Sequence, residues 1–593
     1  MAPATTVAGN AAAAASPALS GQRALLVSPK VPRSGGRLRV LVAFEADAAK
    51  VQAFLRGPAG ALEPLKTKRG GGPPFWVAAE FSAGPAGSYA LTLKEGRDEW
   101  QALTLEVSAG GAAKPGLAGG PLGAKGWSRA EESLYAAWIE ALFAEADERS
   151  SWKALHDVMR DPARNILYNH LGLGEDEASG SNALVMTPDC ADNPYFLRAY
   201  FAWKLGLPFG FHETSWGNLE TAPRGLRFRT DGLSAGAEAG SSVRTFGRLL
   251  ALVKNTVHAG NGRTALRADA TDYYPVPLNR KALKPGTVYA DPYGHTLTIV
   301  RWVPQTAKRP GLLLAVDAQP DGTIGIKRFW KGNFLFTTED VVGEPGFKAF
   351  RPIVLENGRP RLLTNREIAA SPDFGDYSLE QEKLTGDAFY AAIEKLINPE
   401  PLDAAAAFED LFQAIHEQLI VRVDSVANGE EFMKAHPGTV IPMPSGPAVY
   451  QTLGRWEDFS TPNRDLRLLI AIDTILGFPD KVARNPEAYE VSGKKTPDEV
   501  RRGLLAIQKS LAAGLSITYI RSDGTARILT LEDVFARQDA FEMGYNPNDS
   551  VEVRWGAPEG SEERSTARRH APASQLEKMK ALRPWFHKRL RPA

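Results

Sequence analysis

The chain has 593 residues, 43% hydrophobic and 23% charged, a balance typical of a soluble globular protein with about three or four domains. Its 70 Lys and Arg residues nearly equal its 69 Asp and Glu residues, which argues against a nucleic-acid-binding surface. A single cysteine excludes intramolecular disulfides and thiolate zinc clusters, and no apolar run approaches the roughly 20 residues of a membrane span.

The first 22 residues are rich in Ala, Pro, Ser and Thr and show no periodicity, so a disordered tail is predicted over 1–22. No basic segment followed by an apolar segment occurs there, so the residues predict no secretory signal. An Ala-rich tail also fits the remainder of a signal whose start is missing.

Apolar residues alternate with polar ones between residues 23 and 108, for example at Leu38, Val40, Val42 and Phe44. Alternation with Gly- and Pro-rich turns predicts an immunoglobulin-like β-sandwich over 23–108. Its role is either spacing and adhesion or simply packing against the next domain. The Gly-, Ala- and Pro-rich residues 109–126 are predicted to form a flexible linker.

A helix should begin after this linker, because Ser128 and Glu131 have the spacing of a capping box. Two further helical patterns follow, over Trp152–Met159 and Asn165–Leu171. His156 and His170 lie in these patterns and are interpreted as surface or packing residues.

The only cysteine, Cys190, lies just ahead of an amphipathic helix that Gly206 should terminate. A helix start favours the thiolate over the thiol, so this position suits a nucleophile. A free cysteine is, however, more often a small buried hydrophobe. Pro194 also favours the first turn of a helix, which can leave Cys190 in the turn ahead, where the dipole contributes less.

His212 and Trp216 follow Gly206 and are predicted to lie on a loop that flanks the same cleft. Further along, Gly294 delivers His295 to the start of a β-branched strand. The next apolar strand ends in Asp317. If these two strands pair as an antiparallel hairpin, Asp317 lies close to His295.

The order of cysteine, histidine on one strand and aspartate on the next resembles that of the papain-like cysteine hydrolases. Asp189-Cys190, Pro285-Gly286 and Gly294-His295 resemble motifs of the NlpC-type peptidoglycan hydrolases. Val316-Asp317 is closer to the transglutaminase-like proteins. The resemblance covers about Trp127–Phe336 and implies an α+β papain-like core over 127–365. After Cys190 the chain departs from the NlpC pattern, with Ala-Asp-Asn-Pro in place of Ser-Gly.

The resemblance implies that Cys190 is the nucleophile, that His295 is the base and that Asp317 orients the imidazole. Gln319 and Asp321 are weaker candidates for the orienting role. Neither a metal nor a cofactor is implied. The residues expected to contact the substrate are Asp189, Tyr195, Trp216, Tyr293 and Gln319.

The expected function is hydrolysis of an amide in a peptide or protein, with peptidoglycan suggested by the resemblance alone. Acyl transfer to an amine would use the same residues, and a papain-like scaffold without activity would serve as a binding protein. A periplasmic or secreted location is favoured over the cytoplasm. The oligomeric state is not predicted.

Residues 366–593 are predicted to form a mainly helical domain without a catalytic constellation, so the chain is expected to be multidomain. Helices are predicted around Phe408–Val423 and Leu466–Leu476, and another begins at Thr496. A hairpin is expected around Asp523-Gly524, and Asn546–Asp549 is interpreted as a plain turn. The basic end, which includes Arg569, Arg589 and Arg591, is predicted to be a solvated tail.

Overall fold

The computed structural model describes residues 23–109, 126–216, 221–230, 243–292, 294–306, 309–337, 344–450, 454–490 and 496–591. The predicted tail 1–22, nearly all of the predicted linker 109–126 and the predicted site residue Tyr293 lie outside these ranges. No helix among the described residues has the length and apolar composition needed to cross a bilayer.

The N-terminal region consists of two four-stranded antiparallel sheets, with strand orders β1-β2-β6-β5 and β4-β3-β7-β8. The inward side chains of both sheets, including Val40, Val42 and Leu91, form one buried cluster. The period-two segments of the sequence therefore correspond to strands. The strands are β1 (Arg23–Ser28), β2 (Arg37–Phe44), β3 (Gln52–Gly57), β4 (Gly60–Leu62), β5 (Lys66–Gly71), β6 (Phe75–Ser82), β7 (Gly87–Glu95) and β8 (Asp98–Val107).

The central region is built on a seven-stranded antiparallel sheet of order β12-β17-β13-β14-β15-β16-β9. Strands β10 and β11 form a separate pair. The strands are β9 (Ser151–Trp152), β10 (Phe211–Thr214), β11 (Gly225–Arg229), β12 (Tyr273–Pro275), β13 (Val288–Ala290), β14 (Thr296–Val303), β15 (Leu312–Ala318), β16 (Ile324–Arg328) and β17 (Gly346–Phe350). The helices are α1 (Arg129–Phe143), α2 (Leu155–Met159), α3 (Asn193–Leu205) and α4 (Val243–Lys254).

The C-terminal region is mainly helical. From residue 404 onward it surrounds its own buried cluster, whereas its first two helices pack with residues of the central sheet such as Tyr289 and Leu297. The described part of the chain is thus a multidomain protein of mixed architecture. Its helices are α5 (Asn365–Ala370), α6 (Gly386–Ile397), α7 (Ala404–Ala435), α8 (Gly454–Phe459), α9 (Pro462–Arg484), α10 (Pro497–Gly514), α11 (Leu531–Phe535), α12 (Gln538–Phe541), α13 (Val551–Arg554) and α14 (Ala573–His587). Its strands form three two-stranded pairs: β18 (Ile353–Glu356) with β19 (Arg359–Leu362), β20 (Leu402–Asp403) with β21 (Tyr489–Glu490), and β22 (Ser516–Ile520) with β23 (Ala526–Thr530).

Several local signals in the sequence are confirmed. Capping boxes begin α1 at Ser128 and α10 at Thr496. Gly206 ends α3 with φ of 70°, a left-handed conformation that glycine adopts without strain. Two expectations are wrong. Asn165–Leu171 is a series of turns, in which the buried Asn165 amide binds backbone and side-chain groups instead of facing solvent on a helix. His212 lies on strand β10 and not on a loop.

The first two regions share a hydrophobic cluster, because β2 is apolar on both faces. Val40 and Val42 point into the N-terminal core, whereas Leu41 and Ala43 pack with α1 of the central region. At the same interface Trp76 Nε1 donates a 2.8 Å hydrogen bond to Glu140 Oε2. The N-terminal sheets are therefore fixed against the central region by buried contacts.

This interface generates a testable pH dependence. Burial raises the pKa of Glu140 to about 7, despite the hydrogen bond from Trp76. Because the folded state then holds a proton that the unfolded state releases above about pH 4.5, the free energy of unfolding should fall as pH rises from about 4.5 to 7. Glu140→Gln has no proton to release, so its stability relative to wild type should grow across this window by on the order of 3 kcal/mol.

Urea unfolding at several pH values measures this difference. Glu63→Gln, at an exposed position of the N-terminal region, is the matched control and should follow the wild type. A Glu140→Gln curve parallel to wild type between pH 4.5 and 7 would show that Glu140 is ionised in the folded protein.

Candidate active site

The hairpin of β14 and β15 brings His295 and Asp317 together. Thr298 pairs with Val316, so the next residues outward, Leu297 and Asp317, lie opposite each other and share a face with His295. His295 Nδ1 lies 3.0 Å from Asp317 Oδ1. The distance allows an ion pair when the imidazole is protonated, although Asp317 Oδ1 accepts no hydrogen bond from the described residues in this geometry.

Asp317 is buried, with 3% of its surface exposed. Burial alone would raise its pKa, but His295 together with the charges of Lys327 and Arg467 more than offsets burial, and the pKa lies below its ordinary value. The other oxygen, Oδ2, accepts a 2.7 Å hydrogen bond from Gln319 Nε2. Gln319, predicted to contact the substrate, thus also holds the carboxylate beside the histidine.

Cys190 lies in the turn ahead of α3 and is half-buried. Its Sγ is 3.7 Å from the carbonyl oxygen of Gly294, the residue before His295. Among the hydrogen bonds of the described residues none joins Cys190 to His295 itself. Gly294 has φ of 90°, which favours glycine at this approach of the two segments.

Asp189 shapes the turn that carries the cysteine. Its Oδ1 accepts hydrogen bonds from the backbone N–H groups of Ala191 at 2.9 Å and Asp192 at 3.1 Å. Such an aspartate turn fixes the backbone just before a helix. The structure thus gives Asp189 a local structural role, next to the substrate contact predicted for it.

The electrostatic surroundings of the thiol differ from the expectation based on the helix start. Burial first, and then the negative charges of Asp189 and Asp317, raise the pKa of Cys190 well above its ordinary value, although the Thr296 N–H opposes this. Asp192, the residue before α3, adds to the effect. Burial and the nearby carboxylates therefore oppose the thiolate that the helix start was predicted to favour.

Tyr195 does not line a groove, contrary to prediction. It is 1% exposed, and its hydroxyl donates a 2.7 Å hydrogen bond to Asp272 Oδ2. The same carboxylate lies 2.7 Å from His212 Nδ1 and accepts a hydrogen bond from Asn261. His212 and Tyr195 thus belong to a buried polar network inside the central region.

Trp216 is exposed and stacks on His258, with ring centroids 3.7 Å apart. Sequence analysis did not single out His258. Its Nε2 lies 2.8 Å from the Thr214 carbonyl, and its Nδ1 accepts a hydrogen bond from Gly260. Since both ring nitrogens are engaged, His258 is a poor candidate for a catalytic base.

A cleft of about 750 Å³, including its part open to solvent, adjoins the His295 and Asp317 pair. Its far wall comes from the C-terminal region, where no functional residues were predicted. Helical periodicity identifies α7 and α9 but gives no sign that polar residues on them face another domain. These wall residues include Gln418, Arg422, Asn463, Arg464 and Arg467.

The C-terminal end of the chain also reaches the site. Arg591, predicted to belong to a solvated tail, is 8% exposed and donates a hydrogen bond to the Tyr450 carbonyl at 3.1 Å. A side chain at Gly294 would collide with its guanidinium group. Arg569 and Arg589 form ion pairs as well, so this part of the prediction is wrong.

No family model matches the chain, and the curated proteins and the solved structures contain no significant match to it. The described residues also contain no group of three His, Cys, Asp or Glu side chains placed to bind a metal ion. The geometry of the site is therefore the basis for proposing a function.

The carboxylates beside Cys190 give a testable effect. Burial and the neighbouring Asp189 raise the pKa of Asp192 to about 8, whereas Asp189 is the strongest of the charges that raise the pKa of the Cys190 thiol. Removing both carboxyls in Asp189→Asn/Asp192→Asn should lower the thiol pKa and speed alkylation by iodoacetamide at pH 7 by about fivefold or more. Asp189→Asn alone should give most of this increase and Asp192→Asn alone less, because the Asp192 carboxyl is mainly protonated at pH 7.

Because the chain has one cysteine, incorporation of the label reports on Cys190 directly. The exposed Asp47→Asn serves as the control, and thermal unfolding verifies that all variants are folded. An unchanged or slower rate in the double variant would mean that these carboxylates do not stabilise the neutral thiol.

Proposed function

We propose that the chain is a cysteine-dependent amide hydrolase with a papain-like central region, acting on a peptide or protein. The observation that carries the proposal is the placement of Cys190 Sγ against the residue before His295, whose Nδ1 lies 3.0 Å from Asp317. A nucleophile, a base and a residue that orients the base are the groups that thiol hydrolysis needs.

In the first step His295 Nε2 accepts the proton of the Cys190 thiol as the sulfur attacks the carbonyl carbon of the amide. Asp317 stabilises the imidazolium that forms, because its carboxylate is ionised and faces Nδ1. The protonated His295 then donates this proton to the leaving nitrogen. The amide C–N bond breaks, and an amine and a thioester on Cys190 result.

In the second step His295 removes a proton from water, whose oxygen attacks the thioester. The C–S bond breaks, Cys190 recovers its proton through His295 and the carboxylic acid leaves. An amine in place of water would give a new amide, which is the transglutaminase-like alternative. Both outcomes use the same three side chains.

The raised pKa of Cys190 favours one form of this mechanism. The resting enzyme holds a neutral thiol, so the base has to take the proton as the sulfur attacks. A preformed thiolate and imidazolium pair is disfavoured by the carboxylates around the sulfur. The proposal thus depends on His295 more strongly than it would for an already ionised cysteine.

A second candidate function is a papain-like binding protein without activity. Two observations favour it: the carboxylates that oppose ionisation of Cys190, and the hydrogen bond of its sulfur to Gly294 and not to His295. On this view the N-terminal sheets would form an immunoglobulin-like module that adds binding surface. Peptidoglycan, as substrate or as ligand, rests on the sequence resemblance alone.

Alkylation of Cys190 separates the two candidates. His295→Gln should slow the reaction with iodoacetamide at pH 7 at least about tenfold, because the thiol loses its base. His258→Gln is the matched control and should stay within about twofold of wild type, since its ring nitrogens hold backbone groups. Mass spectrometry of the labelled chain gives the rates.

Equal rates for wild type and His295→Gln, with both proteins folded, would favour the binding protein. A loss of rate in His258→Gln alone would instead assign the base to His258. Cys190→Ser gives the background, because no other thiol is present.

A further inference from the structure

Two cations line the cleft beside His295 without a close ion pair. Lys327 extends from β16 and Arg464 from the first turn of α9, and both border the same space. Among the ion pairs of the described residues none involves either side chain. Burial lowers the pKa of each, although the charge of Asp317 opposes this at Lys327 and the charges of Asp465 and Asp317 oppose it at Arg464.

Two further residues that line this cleft have guanidinium N–H groups that are buried without a hydrogen-bond partner. Arg422 binds Asp465 through Nε and Nη2 at 2.8 and 2.9 Å, but its Nη1 is buried without a hydrogen-bond partner. Its side chain is only 1% exposed. Arg467 holds Asp291 through Nη1 at 2.9 Å, whereas its Nε and Nη2 are buried and unpartnered.

The carboxylates nearest the cleft are shared, because Asp317 acts on both Lys327 and Arg464, and Asp465 acts on Arg464 as well as Arg422. Asp465 and Asp291 neutralise Arg422 and Arg467, and Asp317 is engaged by His295. Glu417 lies near Lys327, but burial raises its pKa, which weakens its ability to compensate. Converging cations in a partly desolvated space are costly unless an anion joins them.

We propose that this cleft binds a carboxylate of the substrate, which makes the substrate of the proposed hydrolase an acidic peptide. Calling this ligand a substrate rests on the proposed function. The binding of a carboxylate can be tested separately. Guanidinium groups suit this ligand because their forked N–H groups match the two oxygens of a carboxylate.

The remaining polar groups of the cleft fit a peptide. Gln418 Oε1 and Asn463 Oδ1 are buried acceptors without partners, and they lie among the same cations. Peptide N–H groups would satisfy them, whereas inorganic phosphate at neutral pH offers few donors. An acidic peptide supplies both the anion and the donors.

Isothermal titration calorimetry at low ionic strength tests this inference with three probes: glutarate, its neutral diamide and inorganic phosphate. Glutarate should bind the full-length protein, and the diamide should bind at least about tenfold more weakly because it lacks charge. Arg464→Gln and Lys327→Gln should each weaken glutarate binding about tenfold, the loss expected for one charge-assisted hydrogen bond.

Arg484→Gln is the matched control, since it makes the same change at the exposed end of the same helix and should leave glutarate binding intact. Equal binding of glutarate and diamide, or equal binding by Arg464→Gln, Lys327→Gln and wild type, would overturn the inference. Phosphate binding without glutarate binding would overturn the assignment to carboxylates. Thermal unfolding of each variant excludes misfolding as the cause.

Cys190→Ser separates this inference from the proposed function. Cys190 is not among the residues that line the cleft, so Cys190→Ser should bind glutarate as wild type does. If it does so while His295→Gln leaves alkylation unchanged, the carboxylate site stands and the hydrolase proposal fails. If His295→Gln slows alkylation but no glutarate binds to the wild type, the hydrolase proposal stands and the carboxylate site fails.

Discussion

The register of the β14 and β15 hairpin is the constraint on which the site depends. Side chains at alternate positions point to opposite faces of a sheet, so pairing Thr298 with Val316 assigns the residues between the bulge at Ile299 and the end of the hairpin at His295 to a face. Val316 and Ala318 point into the cluster shared with α1 and α3. His295 and Asp317 point to the other face, toward α7 and α9. A slip of one residue would exchange the two sets and bury the carboxylate in an apolar core.

The C-terminal helical region becomes part of the site through this same face. Arg422 and Asp465 join α7 to α9 by a buried pair with two hydrogen bonds, and removing one partner of such a pair typically costs about 3–5 kcal/mol. The pair therefore holds the two helices of the wall together, and the ion pair of Arg467 with Asp291 links α9 to the central region. Arg591 closes the opposite edge, next to Gly294.

Local elements of this fold could be predicted from the sequence, whereas the contacts between distant segments could not. Alternation in β2, the capping box at Ser128 and the turn at Gly294 are encoded by a few neighbouring residues, and so is the hairpin that joins His295 to Asp317. Contacts between distant segments were not predictable. The helical pattern around Tyr195 gives no sign that its hydroxyl binds Asp272, 77 residues away.

The same limit explains the missed cleft. Arg464 and Arg467 look like ordinary polar residues at the start of a helix, and only the packing of α9 against the sheet turns them toward His295. The basic C-terminal end likewise has the composition of a solvated tail. Its ion pairs depend on Glu430 and Asp473, more than 100 residues earlier in the chain.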